Sequence, residues 1–252
     1  MLNPEKQDPI TGIFMYIHGG GYVLNTEKSS DRILQRYANA TGNIAISIGY
    51  RLAPENPFPA AIEDCIDVGE HLVRHGKEMF GADLQIIAGD SVGGGLSILT
   101  TTHLLHTFSL LALKAVVLAF GDFAPSGLPA TYNVRPTPFL DRDFRNEYLT
   151  CYLPDRDVSG LQQPDVAPMY INLEELRGKL PKALFICGSQ DPLLDDSVMM
   201  CVKWLQAGAE GVLRVVPGGF HRFISFPPEE VAVAREGWDA ILEFLAEIDQ
   251  TS

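Results

Sequence analysis

Leu84-Gln85-Ile86-Ile87-Ala88-Gly89-Asp90-Ser91-Val92-Gly93-Gly94-Gly95-Leu96 is the stretch that decides how this chain reads. An apolar run turns sharply at a cluster of glycines and continues into a helical pattern. Gly89-Asp90-Ser91-Val92-Gly93 fits G-x-S-x-G, a strand-to-helix turn with a serine on strained backbone. Such a turn needs neighbours without side chains, because strand and helix must approach each other closely. It pushes the Ser91 hydroxyl out of the sheet and aims the first helical N–H groups at whatever that hydroxyl attacks. Two other uses of a glycine-rich turn are disfavoured. No Lys-Ser or Lys-Thr follows the glycines, as a phosphate loop requires. No G-x-G-x-x-G opens the helix, as a dinucleotide site requires.

Working outward, short apolar runs alternate with helical patterns. Gly12 to Ile17 and Asn43 to Ile48 read as strands before the turn, and Ala115 to Phe120, Ala183 to Cys187 and Val212 to Val216 as strands after it. Helices are expected from a cap at Ser29, Ser30 or Asp31 to about Ala40, from Ala60 to about His75, and from Ser91 to about His106. Two more run from Ser197 to Ala207 and from about Val231 to Ile248. Pro54, Pro57 and Pro59 forbid regular structure in the loop after Tyr50. The alternation predicts an α/β fold with a mostly parallel sheet covered by helices on both faces. It fails between Phe120 and Ala183, where Pro, Asp, Arg and aromatic residues gather. Residues 121–182 therefore read as a cap-like insertion over the carboxyl edge of the sheet, where open α/β sheets bind ligands. At 252 residues the chain suits one domain, 1–252.

A net charge of −13 argues against nucleic acid and anionic membrane surfaces as partners. The first residues show no apolar signal segment. The most apolar run, Leu110 to Phe120, is broken by Lys114 and is too short for a membrane span. Cys65, Cys151, Cys187 and Cys201 have no C-x-x-C spacing and read as reduced thiols, so a cytoplasmic location is expected. His71 and His75 are spaced like zinc ligands, but no third ligand accompanies them and they read as a solvated face. No metal and no cofactor is expected.

A serine hydroxyl needs a base to take its proton, and the base needs an orienting acid. His103 and His106 sit on the helix leading away from the turn. His221 lies in a loop after the last strand, on the correct edge of the sheet, and is the expected base. The acid is expected in the loop after the preceding strand, at Asp191. Asp195 and Asp196 compete for that role, and one of them is expected to cap the helix near Ser197. His18-Gly19-Gly20-Gly21 follows the first strand, and its glycines let backbone N–H groups approach an oxyanion. Gly20, Gly21 and Val92 are the expected donors, with His18, Gly19 and Asp90 supporting them.

These motifs, with Tyr50-Arg51-Leu52-Ala53-Pro54-Glu55, Phe58-Pro59-Ala60, Asp191-Pro192-Leu193 and His221-Arg222-Phe223, resemble the hormone-sensitive lipase family of carboxylesterases. The resemblance covers most of the chain. It implies the α/β-hydrolase fold, a Ser91–Asp191–His221 triad, and hydrolysis of small short-to-medium-chain carboxylic esters through an acyl-enzyme, without metal or cofactor. Three departures stand out. Val92 replaces a usual Ala, and its added methyls are expected to narrow the acyl pocket. Tyr22 replaces a frequent Trp. His18 comes early, as though N-terminal strands and a helical cap were shortened, and this would leave the Asn43–Ile48 strand on the edge of the sheet. An apolar edge invites strand pairing, so a homodimer is one expected way of covering it. The alternative reading is a non-catalytic or inactive truncated homologue that binds a small molecule. An amidase or lactonase would share the acyl-enzyme chemistry.

Overall fold

The computed structural model describes residues 1–5, 9–133 and 139–250. Among these residues six strands form one sheet: β1 (Ile13–Ile17), β2 (Ile44–Ile48), β3 (Leu84–Asp90), β4 (Ala115–Ala119), β5 (Lys182–Gly188) and β6 (Gly211–Val216). The spatial order is β2-β1-β3-β4-β5-β6, and every adjacent pair is parallel. The chain runs outward from β1 to β2, then returns to the other side of β1 and continues through β3. The order therefore reverses between β1 and β3, and a crevice opens at their carboxyl ends.

Among the described residues seven helices accompany the sheet: α1 (Asp31–Thr41), α2 (Ala60–Phe80), α3 (Val92–Thr107), α4 (Pro129–Asn133), α5 (Arg142–Tyr152), α6 (Leu194–Gln206) and α7 (Ala232–Gln250). The period of two along each strand sorts the core into two layers. Ile13, Met15 and Ile17 of β1 face α2, α3 and α6 through Cys65, Leu72, Leu96 and Trp204. Phe14 and Tyr16 face α1 and α7 through Leu34, Tyr37, Trp238 and Ile241. Burial on both faces explains why these strands read as continuous apolar runs rather than alternating ones.

Two boundaries differ from the sequence expectation. Helix α2 continues beyond His75 to Phe80, because Gly76 is a point of close approach and not a stop. A Cβ there would lie 2.6 Å from the Ile13 Cδ1, and the helix ends instead at Gly81 in the left-handed region. Helix α6 starts at Leu194, so Asp195 and Asp196 fall inside its first turn, and neither side chain caps it.

Strand β2 lies at the edge of the sheet, as expected. Part of that edge is occupied by the chain's own beginning. Leu2 and Ala45 exchange two antiparallel hydrogen bonds of 2.8 and 2.9 Å. Between β4 and β5 the described residues form α4, α5 and three short 3-10 turns at Gly160–Gln162, Pro168–Tyr170 and Leu173–Leu176. Residues 134–138 of the expected insertion lie outside the described residues. No described helix is long and apolar enough to cross a membrane.

Candidate active site

Ser91 sits between β3 and α3 with φ 54° and ψ −126°, a combination that side-chain-bearing residues rarely adopt. The glycines around it are a steric requirement. A Cβ at Gly89 would overlap the Gly93 carbonyl, and one at Gly93 would overlap the Ile17 and His18 carbonyls. Strand β1, the turn and α3 thus touch backbone to backbone. The Ser91 N–H donates to the Ala119 carbonyl (2.9 Å), which ties the turn to β4.

His221 arrives from the loop after β6, and Asp191 from the loop after β5. The two loops are joined by backbone: the N–H groups of Ser189 and Gln190 donate to the Val216 and Gly219 carbonyls, both at 2.9 Å. A Cβ at Gly188 would overlap Gly219, so glycine lets the loops meet. This brings the His221 Nδ1 to 2.9 and 3.2 Å from the two Asp191 carboxylate oxygens. The His221 Nε2 lies 3.1 Å from the Ser91 Oγ. A carboxylate only accepts, so Nδ1 carries the proton and Nε2 presents its lone pair to the serine hydroxyl. All three side chains are buried, and the Phe120 ring meets the imidazole edge-on at 5.0 Å.

The glycine-rich loop after β1 passes beside the serine, where a Cβ at Gly19 would lie 3.0 Å from the Ser91 Cβ. Gly20, Gly21 and Tyr22 have φ of 124°, 62° and 63°, three successive positive values. The N–H groups of Gly20, Gly21 and Val92 donate to no acceptor among the described residues. Asp90 links loop and turn: its Oδ1 accepts from the Tyr16 hydroxyl (2.6 Å) and from the Gly19 N–H (2.9 Å). Burial and this carboxylate push the Tyr16 phenol well above its usual range, so it stays a donor. His18 lies beneath the loop, its ring stacked on Tyr50 at 4.3 Å and its Nδ1 donating to the Gly19 carbonyl (2.8 Å). The Tyr50 hydroxyl donates to the His18 carbonyl (2.9 Å), and the Asn25 amide to the Gly19 carbonyl (3.0 Å).

The structure brings Ser91, His221 and Asp191 into contact and ties Asp90 to the Gly19 N–H, and one expectation needs correction. The Val92 side chain is wholly buried in the core cluster that holds Ile17 and Leu96, so its methyls border no open pocket. The competing acids lie elsewhere. Asp195 accepts from the Ala130 N–H (2.8 Å), and Asp196 accepts from the N–H groups of Phe123 (2.9 Å) and Ala124 (2.8 Å).

Sequence reasoning passed over a second group beside the serine. Arg145 of α5 is almost wholly buried and grips the Asp122 carboxylate through Nη2 (2.8 Å) and Nε (3.2 Å). The Tyr148 hydroxyl donates to the same carboxylate (2.7 Å). Asp196 completes the group. Burial, with Asp122 nearby, pushes its carboxyl up to about 8. The available signal was Arg145 and Tyr148 at a helical spacing of three, but nothing local pointed to their shared partner 23 residues upstream of the arginine.

The sequence profile of the alpha/beta hydrolase fold matches residues 14–225. The chain is 30% identical over 233 residues to an ethyl acetate hydrolase of Pseudomonas putida, covering 89% of this chain and 70% of that protein. It is 28% identical over 217 residues to a carboxylesterase of Mycobacterium tuberculosis, covering 85% and 67% of the two. Among solved structures, an esterase of Pyrobaculum calidifontis superposes with a TM-score of 0.85 at 27% identity, over 98% of this chain and 79% of the other.

Proposed function

This chain belongs to the α/β-hydrolase-fold family, as a carboxylesterase of the hormone-sensitive lipase type, and from that premise we propose that Ser91, His221 and Asp191 are its catalytic triad. The observation that carries the assignment is the unbroken line from the Ser91 Oγ to the His221 Nε2 (3.1 Å) and from the His221 Nδ1 to Asp191 (2.9 Å), beside three uncommitted backbone N–H groups. The Ser91 Oγ attacks the ester carbonyl carbon, and its proton passes to the His221 Nε2. The carbonyl oxygen becomes an oxyanion held by the N–H groups of Gly20, Gly21 and Val92. Collapse breaks the bond to the alcohol oxygen, which leaves with the proton from Nε2. A water molecule then gives a proton to Nε2 and attacks the acyl carbon, and Ser91 departs reprotonated. Asp191 keeps the imidazole in one tautomer and stabilises its charged form.

The substrates are small esters with short-to-medium acyl chains. The Pseudomonas relative carries the name of an ethyl acetate hydrolase, and this supports the short end of that range. We read the described part of the segment 121–182 as a cap over the site, a reading supported by α5, which reaches both the Gly21 turn and the loop after β4.

The test is hydrolysis of p-nitrophenyl esters from acetate to laurate by the wild type, Ser91→Ala and His221→Ala. Turnover favouring short chains, with kcat lowered on the order of 10⁶-fold in either variant, is expected. Undiminished hydrolysis by Ser91→Ala would remove the assignment.

A further inference from the structure

The oxyanion-hole donors assigned above come from two parts of the chain, the turn at Gly20–Gly21 and the peptide between Ser91 and Val92. Their separation and angle must match one oxygen atom, so something has to hold the two parts in register. The glycines cannot do this alone, because residues with positive φ and no side chain are free to move unless their surroundings hold them.

The Ser91–Val92 peptide is anchored from behind. Its C=O accepts from the Gly94 N–H (2.9 Å) and from the Asp122 N–H (3.0 Å). A peptide group is planar and trans, so whatever fixes that carbonyl also fixes the direction of the Val92 N–H. The Asp122 N–H is in turn placed by the Asp122 carboxylate, which is wholly buried between Arg145 and Tyr148. The Gly21 turn is supported from the same helix. A Cβ added to Gly21 would lie 2.7 Å from both the Cγ and the Cδ1 of Tyr148, so the ring stands where that side chain would be. Tyr148 therefore touches both parts, Gly21 with its ring and Asp122 with its hydroxyl.

We propose that Tyr148 is the positioning residue of the oxyanion hole, setting the Gly21 N–H through its ring and the Val92 N–H through its hydroxyl and Asp122. This rests on Ser91 being the nucleophile and on those N–H groups being the donors. Tyr148 does not touch the reacting atoms in this role and acts only through the two backbone segments. Its hydroxyl is held as a donor, because burial and the neighbouring carboxylate push the phenol well above its usual range. The ring is buttressed by Phe144 at 6.0 Å and by Tyr22 at 6.2 Å, both edge-on. Tyr22 stacks face to face on Tyr152 at 3.7 Å, which ties the oxyanion turn to α5 a second time, one helical turn further on.

A purely structural Tyr148 would change stability and leave the chemical step alone. A positioning Tyr148 changes the step that builds negative charge on oxygen. Two variants separate its contacts. Tyr148→Phe keeps the ring on Gly21 and removes the hydrogen bond to Asp122. Tyr148→Leu removes the flat ring as well. With p-nitrophenyl butyrate, Tyr148→Phe is expected to lower kcat about tenfold, with KM within about twofold of wild type. Tyr148→Leu is expected to lower kcat about a hundredfold, the scale of an ångström-sized misplacement of a reacting group. The decisive readout is the affinity of an alkylboronic acid, which forms a tetrahedral adduct on the serine. Its inhibition constant should rise in each variant by the same factor as kcat falls. An unchanged kcat and boronate affinity in a folded Tyr148→Phe protein would overturn the proposal, even if its melting temperature fell. So would a rise in KM with kcat intact, because that describes a substrate-binding wall. If Tyr148→Leu does not fold, Tyr148→Phe decides alone, since it removes one oxygen atom. Ser91→Ala is run alongside. If it retains full hydrolysis, the triad assignment has failed, and that outcome is separate from either result at Tyr148.

Discussion

The two sides of this active site are built from different materials. At the carboxyl ends of β1 and β3, position is set by side chains that are missing. Gly89 and Gly93 let strand, turn and helix touch through their backbones, and Gly20 and Gly21 curl the loop after β1 through positive φ. Across the crevice, between β4 and β5, position is set by side chains that are present, polar and buried. Asp122, Arg145, Tyr148 and Asp196 form one buried group, with the Asp122 N–H as its link to Ser91. The first side has no tolerance for an added atom. The second depends on each buried polar group keeping its partner.

The sharpest way to break that contrast is at Gly93. Gly93→Val would drive its side chain into the Ile17 and His18 carbonyls, and the expected result is insoluble protein or hydrolysis lowered more than about a thousandfold. A soluble, active Gly93→Val enzyme would show that the backbone contacts are not what holds the serine. The corresponding break on the other side is Arg145→Met. It leaves the Asp122 and Asp196 carboxyls buried without a cation, and denaturant unfolding should show a loss of about 3–5 kcal/mol.

A finer comparison uses pH. The Asp196 carboxyl is raised from an ordinary 3.8 to about 8 in the folded protein. Its stabilising contribution is therefore complete below about pH 4, where folded and unfolded chains are both protonated, and is lost as pH climbs towards 8. Over that window the unfolded chain holds fewer protons at this site. Stability should then fall with rising pH across that window through this one group. Asp196→Asn cannot ionise, so its stability curve should be flatter between pH 5 and 8. Equal slopes for the two proteins would place the ionised carboxylate in the native state. The smallest effect is expected at Gly81, which has φ 72° but open space around it. Gly81→Ala should cost about 1 kcal/mol and leave hydrolysis unchanged.

The same contrast explains what could be read from the chain. The β1 and β3 side was legible because a backbone constraint leaves its mark in consecutive residues. His18-Gly19-Gly20-Gly21 and Gly89-Asp90-Ser91-Val92-Gly93 each carry their geometry in five residues or fewer. His221 and Asp191 were legible by their order along the chain and their places after strands. The other side was opaque because its partners are scattered. Asp122 meets an arginine and a tyrosine from α5, a helix in a region whose proline content and mixed polarity hide any period. One of Asp195 and Asp196 read as a helix cap because acidic residues at a helix start usually are. Here they satisfy the backbone N–H groups of other segments instead, Ala130 for one, Phe123 and Ala124 for the other. The end of α2 was placed too early, at about His75, although Gly76 inside the helix serves a close contact with β1.

The central claim is that Ser91 is the one nucleophile, activated by His221. The most direct measurement is intact mass and peptide mapping after reaction with a fluorophosphonate, which phosphonylates an activated serine and releases fluoride. The account predicts a single adduct on the peptide containing Ser91, absent in Ser91→Ala and formed far more slowly in His221→Ala. An adduct on another residue, or rapid labelling of Ser91 without His221, would contradict it.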